Sequence, residues 1–138
     1  MFVDSSAWIA ISNRRDDRHI AMVRRYQELV AVRTTFVTTN YVVAETATRL
    51  RYGGGLTAAL AFHESLGSAV SRRLLRLHWI DEELDSEAWR ILSQYADVKL
   101  SLTDASSAAA ARQLRIAEVL GCDRHFEALG FVVSPGLA

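Results

Sequence analysis

With 138 residues, half of them hydrophobic and 23% charged, the chain is the size of one compact domain and can bury a substantial core. Sixteen Lys and Arg balance sixteen Asp and Glu, which excludes a whole-molecule field that draws in nucleic acid, and the one cysteine, Cys122, excludes an intramolecular disulfide and suits a reducing compartment. The longest uncharged stretch, Tyr52 to His63, falls far short of the roughly 18 apolar residues of a membrane span, and no basic segment followed by an apolar core opens the chain, so a soluble, cytoplasmic protein is expected.

Taken in chain order, Met1-Phe2-Val3 reads as a strand broken by Asp4, and Ser5-Ser6 can cap the helix that Ala7-Trp8-Ile9-Ala10 would start. His19, Met22, Val23, Tyr26, Leu29 and Val30 mark one helical face, and Thr35-Phe36-Val37-Thr38 is β-branched and aromatic, a second strand. Asn40 can cap the next helix, whose buried face is Val42, Val43, Thr46, Ala47 and Leu50. Gly53-Gly54-Gly55 is expected to end it, with a separate helix from Leu56 to Val70.

The alternation of Leu75, Leu77 and Trp79 predicts a third strand. Asp81 caps its successor, a helix on which Ala88, Ile91, Leu92 and Tyr95 keep the i, i+3, i+4, i+7 spacing. Another helix opens at Ser101-Leu102-Thr103-Asp104 and carries Ala108 to Ala111, small enough for close packing. Ile116 to Leu120 is a strand running through Gly121-Cys122 into Asp123, and Arg124 to Leu129 is a short amphipathic segment. Phe131-Val132-Val133 is the last strand, and Pro135-Gly136 starts the tail. Strands alternating with helices imply an α/β fold in which helices cover both faces of a mainly parallel sheet, as one domain over residues 1–138.

Four acids stand out: Asp4 and Asp123 at strand ends, Glu45 and Asp104 near helix starts. In open α/β sheets, ligands bind in the crevice outside the carboxyl ends of the strands. Carboxylates gathered there repel, by roughly 4 kcal/mol for a pair about 4 Å apart at an effective dielectric near 20, and a divalent cation relieves that repulsion. Each acid alone has an ordinary role. Asp104 stands three after Ser101, a capping-box spacing; Glu45 stands four before Arg49, a helix-surface pair; Asp4 and Asp123 can end strands or cap helices. Their joint occurrence in this order carries the inference.

Four pieces also carry a family resemblance: Phe2-Val3-Asp4-Ser5-Ser6-Ala7, Thr39-Asn40-Tyr41-Val42-Val43-Ala44-Glu45-Thr46, Leu100-Ser101-Leu102-Thr103-Asp104-Ala105 and Cys122-Asp123-Arg124-His125-Phe126. On these the chain resembles the PIN-domain proteins, more narrowly the VapC-type toxins of bacterial toxin–antitoxin pairs. The resemblance implies a PIN-like three-layer α/β/α sandwich and a ribonuclease dependent on Mg²⁺ (or Mn²⁺), with Asp4, Glu45, Asp104 and Asp123 as its catalytic and metal-holding acids. It also implies an RNA substrate, a cognate antitoxin, a homodimer and a toxin–antitoxin hetero-oligomer. One departure concerns Asp123: family members often place Thr or Ser just before or two before the last acid, where this chain has Gly121-Cys122.

Other residues have two readings each. Ser6 can hydrogen-bond Asp4 or a metal-held water, or simply cap a helix. Asp97 and Lys99 precede the Asp104 helix and can touch the site or phosphate, or lie in a solvated loop. His125 suits a phosphate or structural contact better than a general base, and Arg124 and Arg112 can meet RNA or solvent. The triple glycine lacks the Lys-Ser/Thr of a phosphate-binding loop. Fifteen of the sixteen cations are arginine, which grips phosphate bidentately, although base composition of the gene explains that bias as well. The competing functions are a housekeeping RNA-processing nuclease and a catalytically silent module whose apolar helices, near Ile20–Val30 and Leu56–Val70, dock a partner. The same helices suit an antitoxin segment that lays an amphipathic helix beside them and puts an arginine or lysine among the acids.

Overall fold

The computed structural model describes residues 1–136, so the last two positions of the expected domain and tail lie outside it. In order come β1 (Phe2–Val3), α1 (Ser5–Ser12), α2 (His19–Ala31), β2 (Phe36–Thr39), α3 (Asn40–Ser71), β3 (Leu75–His78), α4 (Glu82–Gln94), α5 (Leu102–Gln113), β4 (Glu118–Leu120), α6 (His125–Ala128) and β5 (Val132–Ser134). Five strands form one sheet in the order β3-β2-β1-β4-β5, and every pairing is parallel. The chain builds outward from β1 to β3, then returns to the other side of β1 for β4 and β5. The order of the strands therefore reverses between β1 and β4, which is where a crevice opens in folds of this kind.

Helices flank the sheet: α1 packs on α2 and α3, and α4 packs along α5. Strand β1 is central and both of its residues are fully buried, which explains its unbroken apolar run in place of an alternating one. The expected small face of α5 is buried throughout, Ala108 to Ala111 together, so the helix backbone lies close to its neighbours. Tyr26 of α2 stacks on Phe36 of β2 with ring centroids 4.8 Å apart, and the Trp8 indole donates to the Thr38 hydroxyl at 3.3 Å. These contacts fix α1 over the carboxyl end of β2.

Three local expectations are corrected, while the expected break at the triple glycine stands. Two helical arms, together spanning Asn40 to Ser71, meet at a kink at Gly55, whose φ of 84° and ψ of −178° only glycine adopts without strain. The cap of α3 is Thr39, whose hydroxyl accepts from the Val42 N–H, while Asn40 accepts from the Ile80 N–H and ties α3 to the end of β3. The cap of α1 is Asp4 itself, accepting from the Ser6 N–H, with Ser5 and Ser6 inside the first turn. Strand β3 stops at His78, leaving Trp79 exposed beyond it.

Candidate active site

Asp4, Glu45, Asp104 and Asp123 line one cleft of about 370 Å³, together with Ser5, Ser6, Arg49, Lys99, Leu100, Ser101 and His125. The fold explains the meeting. Asp4 leaves the end of β1, Asp123 follows the end of the adjacent β4, Glu45 lies in the second turn of α3 just after β2, and Asp104 lies in the first turn of α5.

Each aspartate has one oxygen occupied by the protein, and Glu45 has both. Asp4 Oδ2 accepts from the Ser6 hydroxyl at 2.7 Å and from the Ser6 N–H at 3.1 Å. Asp104 Oδ2 accepts from the Ser101 N–H at 2.9 Å, completing the expected capping box, in which the Ser101 hydroxyl accepts from the Asp104 N–H. Asp123 Oδ1 accepts from the His125 N–H at 2.8 Å. Glu45 Oε2 accepts from the Ser5 hydroxyl at 2.7 Å, while Oε1 faces Arg49 at 3.5 Å. The helix caps and surface pair expected of single acids are thus present, but each uses only part of the carboxylate.

Among the described residues, the second oxygens of Asp4, Asp104 and Asp123 receive no protein hydrogen bond, and Asp4 Oδ1 is buried as well. A buried carboxylate oxygen without a donor calls for a cation or a proton. Burial, opposed by the Ser6 hydrogen bonds and reinforced by the charge of Asp104, pushes Asp4 up to about 6. Burial likewise raises Asp104, with Asp123 and Glu45 adding their repulsion. Ligand atoms of Asp104, Asp123 and His125 also fall within 4.8 Å of one another. Four carboxylates lining one cleft, with an Asp4 oxygen orphaned among them, fit a hard divalent cation of the Mg²⁺ or Mn²⁺ type.

His125 is drawn in through the turn after β4. Its Nδ1 lies 3.0 Å from Asp123 Oδ1 without forming a hydrogen bond, so the buried ring nitrogen has no donor or acceptor partner among the described residues. Lys99 and Arg49 rim the cleft. Asp97 is exposed in the turn after α4, and Arg124 is exposed and pairs with Glu127; neither lines the cleft. Arg112 is turned to the Leu129 carbonyl and the Tyr95 hydroxyl. Ser5 is the residue that sequence reasoning passed over, because helix capping already accounted for it.

A second hollow lies away from the acids. Two adjoining grooves, of about 730 and 430 Å³, run between α2 and the second half of α3 and share Tyr26, Ala61, Ser65 and Ala69. Trp8, Ile11, Phe62 and Leu66 make the inner part apolar.

Comparison with known proteins bears on the family and the fold. The family model described as PIN domain matches residues 1–132. The chain is 33% identical over 132 residues to the 23S rRNA-specific endonuclease VapC20 of Mycobacterium tuberculosis, covering 96% of this chain and 95% of that one. The crystal structure of the same organism's VapC20, described as a Sarcin-Ricin loop cleaving toxin, superposes with a TM-score of 0.81 at 32% identity, over 95% of each chain. FitAcB from Neisseria gonorrhoeae shares the fold, with a TM-score of 0.66 at 18% identity over 96% of this chain and 94% of that one.

Proposed function

The chain belongs to the PIN-domain family, and we propose that it is the toxin of a toxin–antitoxin pair, a Mg²⁺- or Mn²⁺-dependent endoribonuclease acting through Asp4, Glu45, Asp104 and Asp123. The observation that carries the reading is the half-committed state of the three aspartates beside Glu45 in one cleft: the protein fixes one oxygen of each aspartate and gives the other no partner. Such fixing holds the four charges together before any ligand arrives, which is the preorganisation that electrostatic catalysis needs.

A bound divalent cation supplies an acidified water and neutralises charge on the scissile phosphate. Asp4 through Oδ1 and Asp104 through Oδ1 are the ligands proposed to hold it most directly. Glu45 and Asp123 hold water or add ligands, and either can orient the attacking water. Ser6 supports Asp4: its hydroxyl donates to Oδ2 and accepts from the Cys122 N–H at 2.9 Å, so it joins the ends of β1 and β4. Lys99 and Arg49 are set to meet RNA phosphates.

The apolar groove between α1, α2 and α3 suits an antitoxin's amphipathic helix, and the antitoxin chain beyond that helix is proposed to carry an arginine or lysine to the acids. A homodimer is part of the proposal; sedimentation of the isolated chain as a strict monomer at micromolar concentration would count against that part. The direct test is incubation of the antitoxin-free protein with total RNA, 23S rRNA included, with Mg²⁺, with Mn²⁺ and with chelator, beside Asp4→Asn. Discrete metal-dependent fragments that vanish in the variant are expected. Intact RNA together with no metal binding would favour the silent docking module.

A further inference from the structure

We propose that Ser5 is a positioning residue for Glu45: its hydroxyl holds one oxygen of that carboxylate inside the cleft, so that a metal ion or its water has only the long 3.5 Å pairing of the other oxygen with Arg49 to displace. The inference rests on the metal-dependent reading above and concerns a residue to which that reading gives no part.

Ser5 is 4% exposed and sits at the first position of α1. Its hydroxyl has no capping work, because Asp4 occupies the cap position and receives the Ser6 N–H. Instead it donates to Glu45 Oε2 at 2.7 Å, across 40 residues of sequence and between two helices. A neutral donor on a carboxylate makes a charge-assisted bond, stronger than an ordinary hydroxyl contact.

The need for such a bond follows from Glu45 itself. Its long side chain stands on α3 with Arg49 one turn further on, 3.5 Å from Oε1, and that arginine is largely exposed. Ser5 holds Glu45 inward while Arg49 draws it toward solvent. Without the hydroxyl, Arg49 is the remaining partner, and the carboxylate turns away from the other three. Adjacent serines therefore serve acids from different elements, Ser6 for Asp4 and Ser5 for Glu45.

The test is a double-variant cycle read by calorimetric titration with Mn²⁺ alone, on the wild type, Ser5→Ala, Glu45→Gln and the pair together, with metal-free melting as the check on folding. Ser5→Ala is expected to fold and to weaken Mn²⁺ about 10-fold, the usual range for an outer partner of a ligand. In the Glu45→Gln background the same change is expected to cost less than about 2-fold, the ordinary limit of additivity error. Undiminished Mn²⁺ affinity in Ser5→Ala overturns the proposal. So does a loss that persists undiminished without Glu45, or a Ser5→Ala chain that does not fold, since each would make Ser5 merely structural. A wild type that binds no Mn²⁺ is a different failure, removing the metal-dependent reading and this inference with it.

Discussion

A side-chain carbon placed on Gly121 would stand 3.2 Å from Asp4 Cβ and 3.0 Å from the Ser6 hydroxyl, so the end of β4 lies against the end of β1 with no room for a methyl group. Gly121→Ala therefore has to displace Asp4 or Ser6 by a few tenths of an ångström. We expect RNA cleavage to fall roughly 10-fold, less than the 100-fold that a full ångström of misplacement can cost. The fold should survive with a loss of about 1–2 kcal/mol in urea denaturation, typical of overpacking. Unchanged activity would show that the two strand ends yield freely.

Replacing Asp4 by Asn should separate catalysis from stability. The amide oxygen can keep both bonds from Ser6, but the charge is gone. Cleavage and Mn²⁺ affinity are expected to fall at least about 100-fold, beyond what loss of an outer partner produces. The metal-free protein should become more stable at pH 7.5. An acid raised to about 6 from 3.8 costs about 3 kcal/mol when it is ionised in the folded chain. A metal-free Asp4→Asn protein that melts below the wild type at pH 7.5 would refute the second half.

The same raised acids set the direction of a pH effect. Folded Asp4 binds its proton more tightly than the unfolded chain does, so its contribution to stability is fully present below about 3.8 and is lost as pH rises through about 6. Asp104 is raised in the same direction and adds to the loss. Metal-free wild type should therefore lose melting temperature relative to Asp4→Asn between about pH 4 and pH 7. The rise in melting temperature on adding Mg²⁺ or Mn²⁺ should grow over the same interval, because only the ionised acids hold the metal. An equal metal-induced rise at pH 5 and pH 7.5 would contradict this.

Lys99 offers a charge at the rim without touching the proposed ligands' bonds. Lys99→Ala is expected to raise KM for RNA and flatten the dependence of binding on log salt by roughly 0.7, the value of one phosphate contact on a single strand. Mn²⁺ affinity and kcat should hold. A fall in kcat at unchanged KM would place Lys99 in the chemistry instead.

The sequence announced those parts of the site that are governed by neighbours in the chain. Asp4 and Asp123 could be placed because a short apolar run followed by a helix start is a local pattern, and the Ser101–Asp104 capping box because both partners lie within one turn. The Ser5–Glu45 bond spans 40 residues, and the packing of Gly121 on Asp4 spans more than a hundred, so neither leaves a mark that periodicity or spacing can register. The triple glycine was legible as the end of one helix and the start of another, because the torsion angles at Gly55 are a local demand that glycine alone meets without strain. Asp97 and Arg124 were plausible from position along the chain; their exposure and orientation are decided by the turns that carry them.

The bend at Gly55 divides α3 into two arms with separate duties. The first carries Glu45 into the cleft, and the second supplies Phe62 and Leu66 to the apolar groove. Because the two directions meet at one residue's torsion angles, the far arm can exchange side chains, and so change which partner it accepts, while the near arm keeps its aim. If the groove takes the proposed antitoxin, recognition and chemistry share a single rod with an elbow, and a new partner surface can be accommodated without rebuilding the acid cleft.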